Sequence, residues 1–172
     1  RYGLILYAKR GEYLSYDLGS YLWAYGSGFI DVETKRVQFD SPEGLEAIHF
    51  YVDLFLKHKV APPGCINYGH PEFTDAMRSG LCATGLMIQE AVGAPMEDPE
   101  KSMVVGKIKY DVVPGHRWHD GKVLRTPHIG AHSVAINPDT KHPREAYLVA
   151  NQLTCKEVQE EYMLRGGKAA RF

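Results

Sequence analysis

Phe39-Asp40-Ser41-Pro42-Glu43-Gly44-Leu45-Glu46-Ala47-Ile48-His49-Phe50-Tyr51 is the stretch from which the fold is read. Ser41 suits an N-cap, where its hydroxyl accepts from a backbone N–H that has no helical partner. Pro42 suits the first helical position, where no N–H is needed. Leu45, Ile48, Val52 and Phe55 recur at spacings of three and four, which predicts a helix with one buried stripe. Lys57, His58 and Lys59 fall at its end, where positive charge complements the helix dipole. Ala61-Pro62-Pro63-Gly64 stops it.

Upstream, Tyr2-Gly3-Leu4-Ile5-Leu6-Tyr7-Ala8 is short and apolar and reads as a buried strand. Leu18, Tyr21, Leu22 and Tyr25 predict a helix over about 17–25, capped by Ser15 or Asp17 and ended by Gly26-Ser27-Gly28. Val37-Gln38-Phe39 reads as a short extended piece. Downstream, Pro71 to Ser79 predicts a short helix with Phe73, Ala76 and Met77 inward and Gly80 closing it. Cys82–Ile88, Ile108–Val113 and Ala131–Ile136 read as strands. Asp120-Gly121 predicts a small hairpin. A helix from Pro143 to about Leu153 follows, then a last helix begun by a Thr154/Glu157 capping box. Strands alternating with helices imply an α/β fold.

Composition narrows the function. Twenty basic against twenty-one acidic residues leave a net charge of −1, which argues against general nucleic-acid binding. Hydrophobic residues at 44% can build a core, so disorder is not expected. No apolar run reaches the roughly 18 residues of a membrane helix. No secretory leader pattern opens the chain, and its first residue is Arg1, which reads as an excised or processed piece. Cys65, Cys82 and Cys155 form no CxxC pair; buried free thiols are the plainer reading, with one bridge plus one free thiol as the alternative. Eleven Tyr, two Trp and six Phe could line a sugar cleft or fill a core.

Four stretches, in order, resemble the extracellular solute-binding proteins of ABC transporters, in the sugar-binding, maltose-binding-protein-like group. Leu22-Trp23-Ala24-Tyr25-Gly26-Ser27-Gly28 resembles "lw.yGg". Phe39–Tyr51 is close to "fnspegveAlefy". Phe73–Met87 resembles "aF..GkaAm", and Gly130–Asn137 resembles "ggw.laIpk". The resemblance implies a lobe like that of type II periplasmic binding proteins, with a mixed sheet flanked by helices. On this resemblance the lobe would be incomplete, with the first part of the N-terminal lobe absent. Residues 1–129 would be the C-terminal-lobe-like region, and 130–172 a strand and helices returning toward the missing lobe. The edge of that strand would invite self-association or segment exchange in the isolated piece.

The implied chemistry is binding without bond making, and no cofactor is implied. Sugars or polyols are held by aromatic faces and a few polar groups, in the periplasm or at the cell surface, and passed to ABC permease subunits. Tyr16 matches an aromatic that contacts sugar in maltose-binding members. Tyr13, Asp17 and Trp23 share its element, although the helical spacing of Trp23 suits a core position better. Gln89 and Glu90 stand where many members have Gly and an aromatic ring, which favours a smaller or more polar ligand than maltodextrin. Gly130 and His132 lie where the family often has a Gly and Trp. Arg171 belongs to a late loop resembling "gg.p.r.s".

Other readings carry less weight. His116, His119, His128 and His132 could supply zinc ligands, but no carboxylate or Cys completes a familiar spacing, and loop histidines account for them better. Gly26-x-Gly28 is too short for a phosphate cradle. Ser133 beside His132 lacks a nucleophile elbow. Carboxylate pairs such as Glu12/Asp17 or Glu90/Asp98 leave a carbohydrate-active hydrolase as the enzyme alternative. An interaction domain without a small ligand is the third reading.

Overall fold

A computed structural model describes residues 1–86, 93–128, 133–165 and 167. The chain divides into two compact units, 1–128 and 129–172. No helix among the described residues is long and apolar enough to cross a membrane.

The first unit is organised by a parallel strand pair, buried at Ile5 and Cys82 and exposed at Gly3, Ala83 and Thr84. Strand β1 (Tyr2–Ile5) pairs with β2 (Cys82–Gly85), with Tyr2 opposite Cys82 and Ile5 opposite Gly85. The extended run continues past β1 to Tyr7, and side chains alternate across it as extended backbone requires. Ile5 and Tyr7 enter one apolar cluster with Phe73, Ala76, Met77, Cys82 and Met96. Leu6 enters a second cluster with Tyr51, Ala61 and Cys65. Both faces of the run are therefore covered, as a parallel sheet needs.

The covering helices are α1 (Glu12–Ala24), α2 (Pro42–Leu56), α3 (His70–Arg78) and the short α4 (Ala94–Glu97), with a 3-10 turn over Pro63–Asn67. Helix α1 starts five residues before the position expected for Asp17. Gly11, at φ 123°, turns the chain into it, and no side chain caps it. Ser15 instead donates back to the Glu12 carbonyl at 2.6 Å. Helix α2 begins as expected, with Ser41 Oγ accepting from the Gly44 N–H at 3.1 Å.

Its buried stripe is shifted by one position from the expected one, with Ile48 and Phe55 half-buried beside it. Gly44, Ala47 and Tyr51 are buried, whereas Leu45 is 48% and Val52 39% exposed. Hydropathy favours the leucine and valine. Close packing selects glycine and alanine, because a Cβ on Gly44 would sit 2.4 Å from the Phe39 carbonyl oxygen. Helix α3 buries Phe73, Ala76 and Met77 as expected, and Gly80 closes it at φ 68°.

Residues 108–113 form no strand, contrary to expectation. Tyr110 and Val112 are 67% and 71% exposed there, so alternation in sequence is not matched by a sheet to bury it. The hairpin does form, between β3 (His116–Arg117) and β4 (Val123–Leu124). Gly121 takes φ 83° at its tip, and Asp120 Oδ1 accepts from the Lys122 N–H at 3.0 Å.

The second unit contains α5 (Pro143–Leu153) and α6 (Lys156–Leu164). Helix α5 has the expected bounds. The expected Thr154/Glu157 capping box is absent: Thr154 Oγ1 donates to the Ala150 carbonyl at 3.1 Å, and Cys155 occupies the cap position of α6 without a side-chain bond. Of the expected strand 131–136, residues 131 and 132 lie outside the described residues, and 133–136 are not in a strand.

Candidate functional site

Tyr13, Tyr16, Ser20 and Trp23 recur at three and four residues along α1 and so share one helical face. The opposite face carries Leu14, Leu18 and Tyr21, which pack on the Leu6 cluster. One helix thus separates an apolar interior from a row of half-buried rings. The Tyr13 ring stacks on Tyr7 at 5.8 Å between centroids and meets Tyr16 edge-on at 6.4 Å. Tyr16 Oη donates to Glu12 Oε2 at 3.1 Å, and that hydrogen bond to a carboxylate raises its pKa.

A later segment completes the row. Thr126 Oγ1 donates to the Ser20 carbonyl at 3.0 Å and fastens the chain to α1 across 106 positions of sequence. His128 then lies 4.9 Å from the Tyr16 ring and stacks on Trp23 at 5.8 Å and 15°. Trp23 meets Phe29 edge-on at 6.1 Å. The result is a chain of contacts Tyr13–Tyr16–His128–Trp23–Phe29. Flat rings with polar edges suit the C–H faces and hydroxyls of a carbohydrate. His128 was visible in the sequence only as one histidine among several; no spacing ties it to Tyr16.

Asp17 takes the other side of the helix. It is 4% exposed, and its Oδ2 accepts from the Tyr7 N–H and from the Tyr51 hydroxyl, each at 3.0 Å. Successive helical residues point about 100° apart, which turns Asp17 inward when Tyr16 faces the row. Burial pushes its carboxyl up to about 7, against the opposing pull of the two donors. Burial, followed by the charge of Asp17, also raises the phenols of Tyr21 and Tyr51. Gln89, Glu90, Gly130, His132 and Arg171 lie outside the described residues.

A second aromatic group sits at the C-terminal end of α1. His116 lies 3.9 Å from the Tyr25 ring and meets Trp118 edge-on at 5.8 Å. An open recess of about 550 Å3 runs along the hairpin beside Trp118, His119, Asp120 and Lys122. It contains none of the α1 row. The row combines contacting rings with a fastened histidine and is the candidate site. His116 and His128 are engaged by different rings, and among the described residues no group of three His, Cys, Asp or Glu is placed to hold a metal.

Solved structures share this architecture. A solute-binding protein of an ABC transporter from Agrobacterium radiobacter K84, in complex with ribitol, is 24% identical with TM-score 0.85, over 99% of this chain and 41% of that one. Maltose-bound MalE3 of T. maritima is 26% identical with TM-score 0.79, over 99% and 42%. A Thermotoga lettingae TMO solute-binding protein bound with α-D-tagatose is 22% identical with TM-score 0.74, over 98% and 41%. The chain thus spans about two fifths of the length of these relatives and has the fold of the corresponding part of a type II periplasmic binding protein. No curated protein matches it significantly. The family model of bacterial extracellular solute-binding proteins matches residues 3–160, nearly the whole chain, and the chain belongs to that family.

Proposed function

We propose that the protein carrying this chain captures a sugar or polyol outside the cytoplasm and hands it to an ABC permease. The observation that carries this reading is the row Tyr13–Tyr16–His128–Trp23 on a lobe of the solute-binding family. Structural relatives are bound to ribitol, maltose, tagatose and mannitol, which supports the solute class. Tyr16 and Trp23 supply ring faces, and Tyr13 widens the platform. Glu12 orients the Tyr16 hydroxyl, and His128 donates to or stacks on the solute. Gln89 and Glu90 are proposed as further polar groups toward the solute. A solute touching two lobes favours the closed arrangement by the difference in its affinity for closed over open. No bond is made or broken, and the protein is not an enzyme.

The test is a thermal-shift screen of the full-length protein against sugars, polyols and amino acids. A solute at a hundred times its Kd adds about 2.7 kcal/mol to folded stability, an easily measured rise in Tm. A response confined to one sugar or polyol class, without turnover of chromogenic glycosides, is expected. Silence across sugars and polyols, or glycoside hydrolysis, overturns the proposal.

A further inference from the structure

The row on α1 is only as well aimed as α1 itself, which is held by apolar packing, by the Thr126–Ser20 bond and by the bonds to Asp17. The apolar contacts of Leu14 and Leu18 are non-directional. The bonds to Asp17 are directional. A single carboxylate oxygen joins three elements: the run-out of β1 at Tyr7, α1 at Asp17 and α2 at Tyr51. A rotation of α1 by a fraction of a residue would stretch both 3.0 Å bonds inside a dry interior, where a lost bond is costly.

We infer that Asp17 is a positioning residue for the solute site: through Tyr7 and Tyr51 it helps fix the rotation of α1 and so the aim of Tyr16 and Trp23. The inference rests on the proposed role of that row. The ionisable groups around the carboxyl are Tyr21 on α1, Tyr51 on α2 and Cys65 on the 3-10 turn. Among the described residues no Lys, Arg or His forms an ion pair with it. Both bonds pull the carboxyl pKa down against burial, so they hold the ionised group at least as firmly as the protonated one.

Tyr51→Phe removes one donor and keeps the ring; Asp17→Asn removes the titration and keeps an acceptor. In the full-length protein, calorimetry with ribitol, maltose, D-tagatose and D-mannitol would follow Kd. Tyr51→Phe should raise Kd about tenfold well below its Tm, whereas Asp17→Asn, which keeps an acceptor, should stay near the wild-type value. Hydrogen exchange of the free protein supplies an arm that needs no solute. Tyr51→Phe should accelerate exchange in α1 while α3 keeps its wild-type rates. Equal acceleration of both helices, or unchanged Kd in folded Tyr51→Phe, overturns the inference. Failure of all four solutes to bind wild-type protein counts against the carbohydrate reading, and the exchange comparison alone then decides the positioning role.

Discussion

The ring of Trp118 occupies the space that a side chain on Gly26 would need: its Cη2 lies 2.6 Å from where a Cβ would stand. Gly26 also holds φ 83°, a conformation that L side chains rarely adopt. The hairpin and the end of α1 meet through the absence of a methyl group. Gly26→Ala combines backbone strain with overpacking and should cost about 2–4 kcal/mol. Urea unfolding measures it. Adding Trp118→Ala should recover the overpacking part and leave the strain; no recovery would show that the two residues are uncoupled.

Stability should respond to pH through Asp17. Its folded pKa, about 7, lies above the ordinary 3.8, so the folded state holds the proton more tightly. The contribution is fully present below the unfolded pKa and is lost as pH rises through about 7. Asp31 and Glu72 act in the opposite sense. Hydrogen bonds hold their pKa values low, so their contribution is present above the unfolded pKa and lost as pH falls. Chemical unfolding between pH 4 and 7 should show that Asp17→Asn removes a declining component of wild-type stability. Parallel curves for the two proteins would refute this assignment.

The row on α1 should behave as a coupled platform. Tyr16→Ala and His128→Ala are each expected to weaken solute binding about tenfold in the full-length protein. Trp23→Ala and His128→Ala should be non-additive, because their rings stack at 5.8 Å. Calorimetric double-mutant cycles would reveal it. Additive losses would mean that His128 meets the solute independently of Trp23.

Thiol chemistry should follow burial. Cys65 is fully buried, and burial pushes its thiol up to about 11. Cys82 is 7% exposed, and Cys155 is partly exposed. Iodoacetamide labelling read by mass spectrometry should modify Cys155 first and reach Cys65 only on unfolding. Early labelling of Cys65 would contradict the packing of the Leu6 cluster.

Local signals in the sequence were strong where one residue type does one job. Ser41-Pro42 marks the start of α2, Pro143 that of α5, and Asp120-Gly121 the hairpin, because caps, first-turn prolines and tight turns act within a few residues. The inward set Phe73, Ala76 and Met77 was equally legible. The α2 stripe was not, since Tyr51 is buried by a bond to Asp17 that lies 34 positions away. The start of α1 was missed because a glycine at positive φ, with no capping side chain, opens it. Of the α1 row, Tyr16 is suggested by the family resemblance, with Tyr13 and Trp23 as its neighbours, and helical spacing alone would place Trp23 in the core. His128 carries no such signal, because Thr126 and Ser20 bring it there by a long-range bond. The inward aim of Asp17 likewise depends on which face of α1 the core selects.

The parallel pairing of β1 with β2 has a consequence for synthesis on the ribosome. Tyr2 is opposite Cys82, and Ile5 is opposite Gly85. When β1 is translated, its partner does not yet exist. α1, α2 and α3 are all made before it appears, and closing so long a loop is entropically costly until they dock. Leu4 and Ile5 therefore stay without their sheet neighbours until Gly85 has emerged. During that interval the nascent segment is open to chaperones and to mispairing with another copy, and a pause in translation before Cys82 would lengthen that exposure.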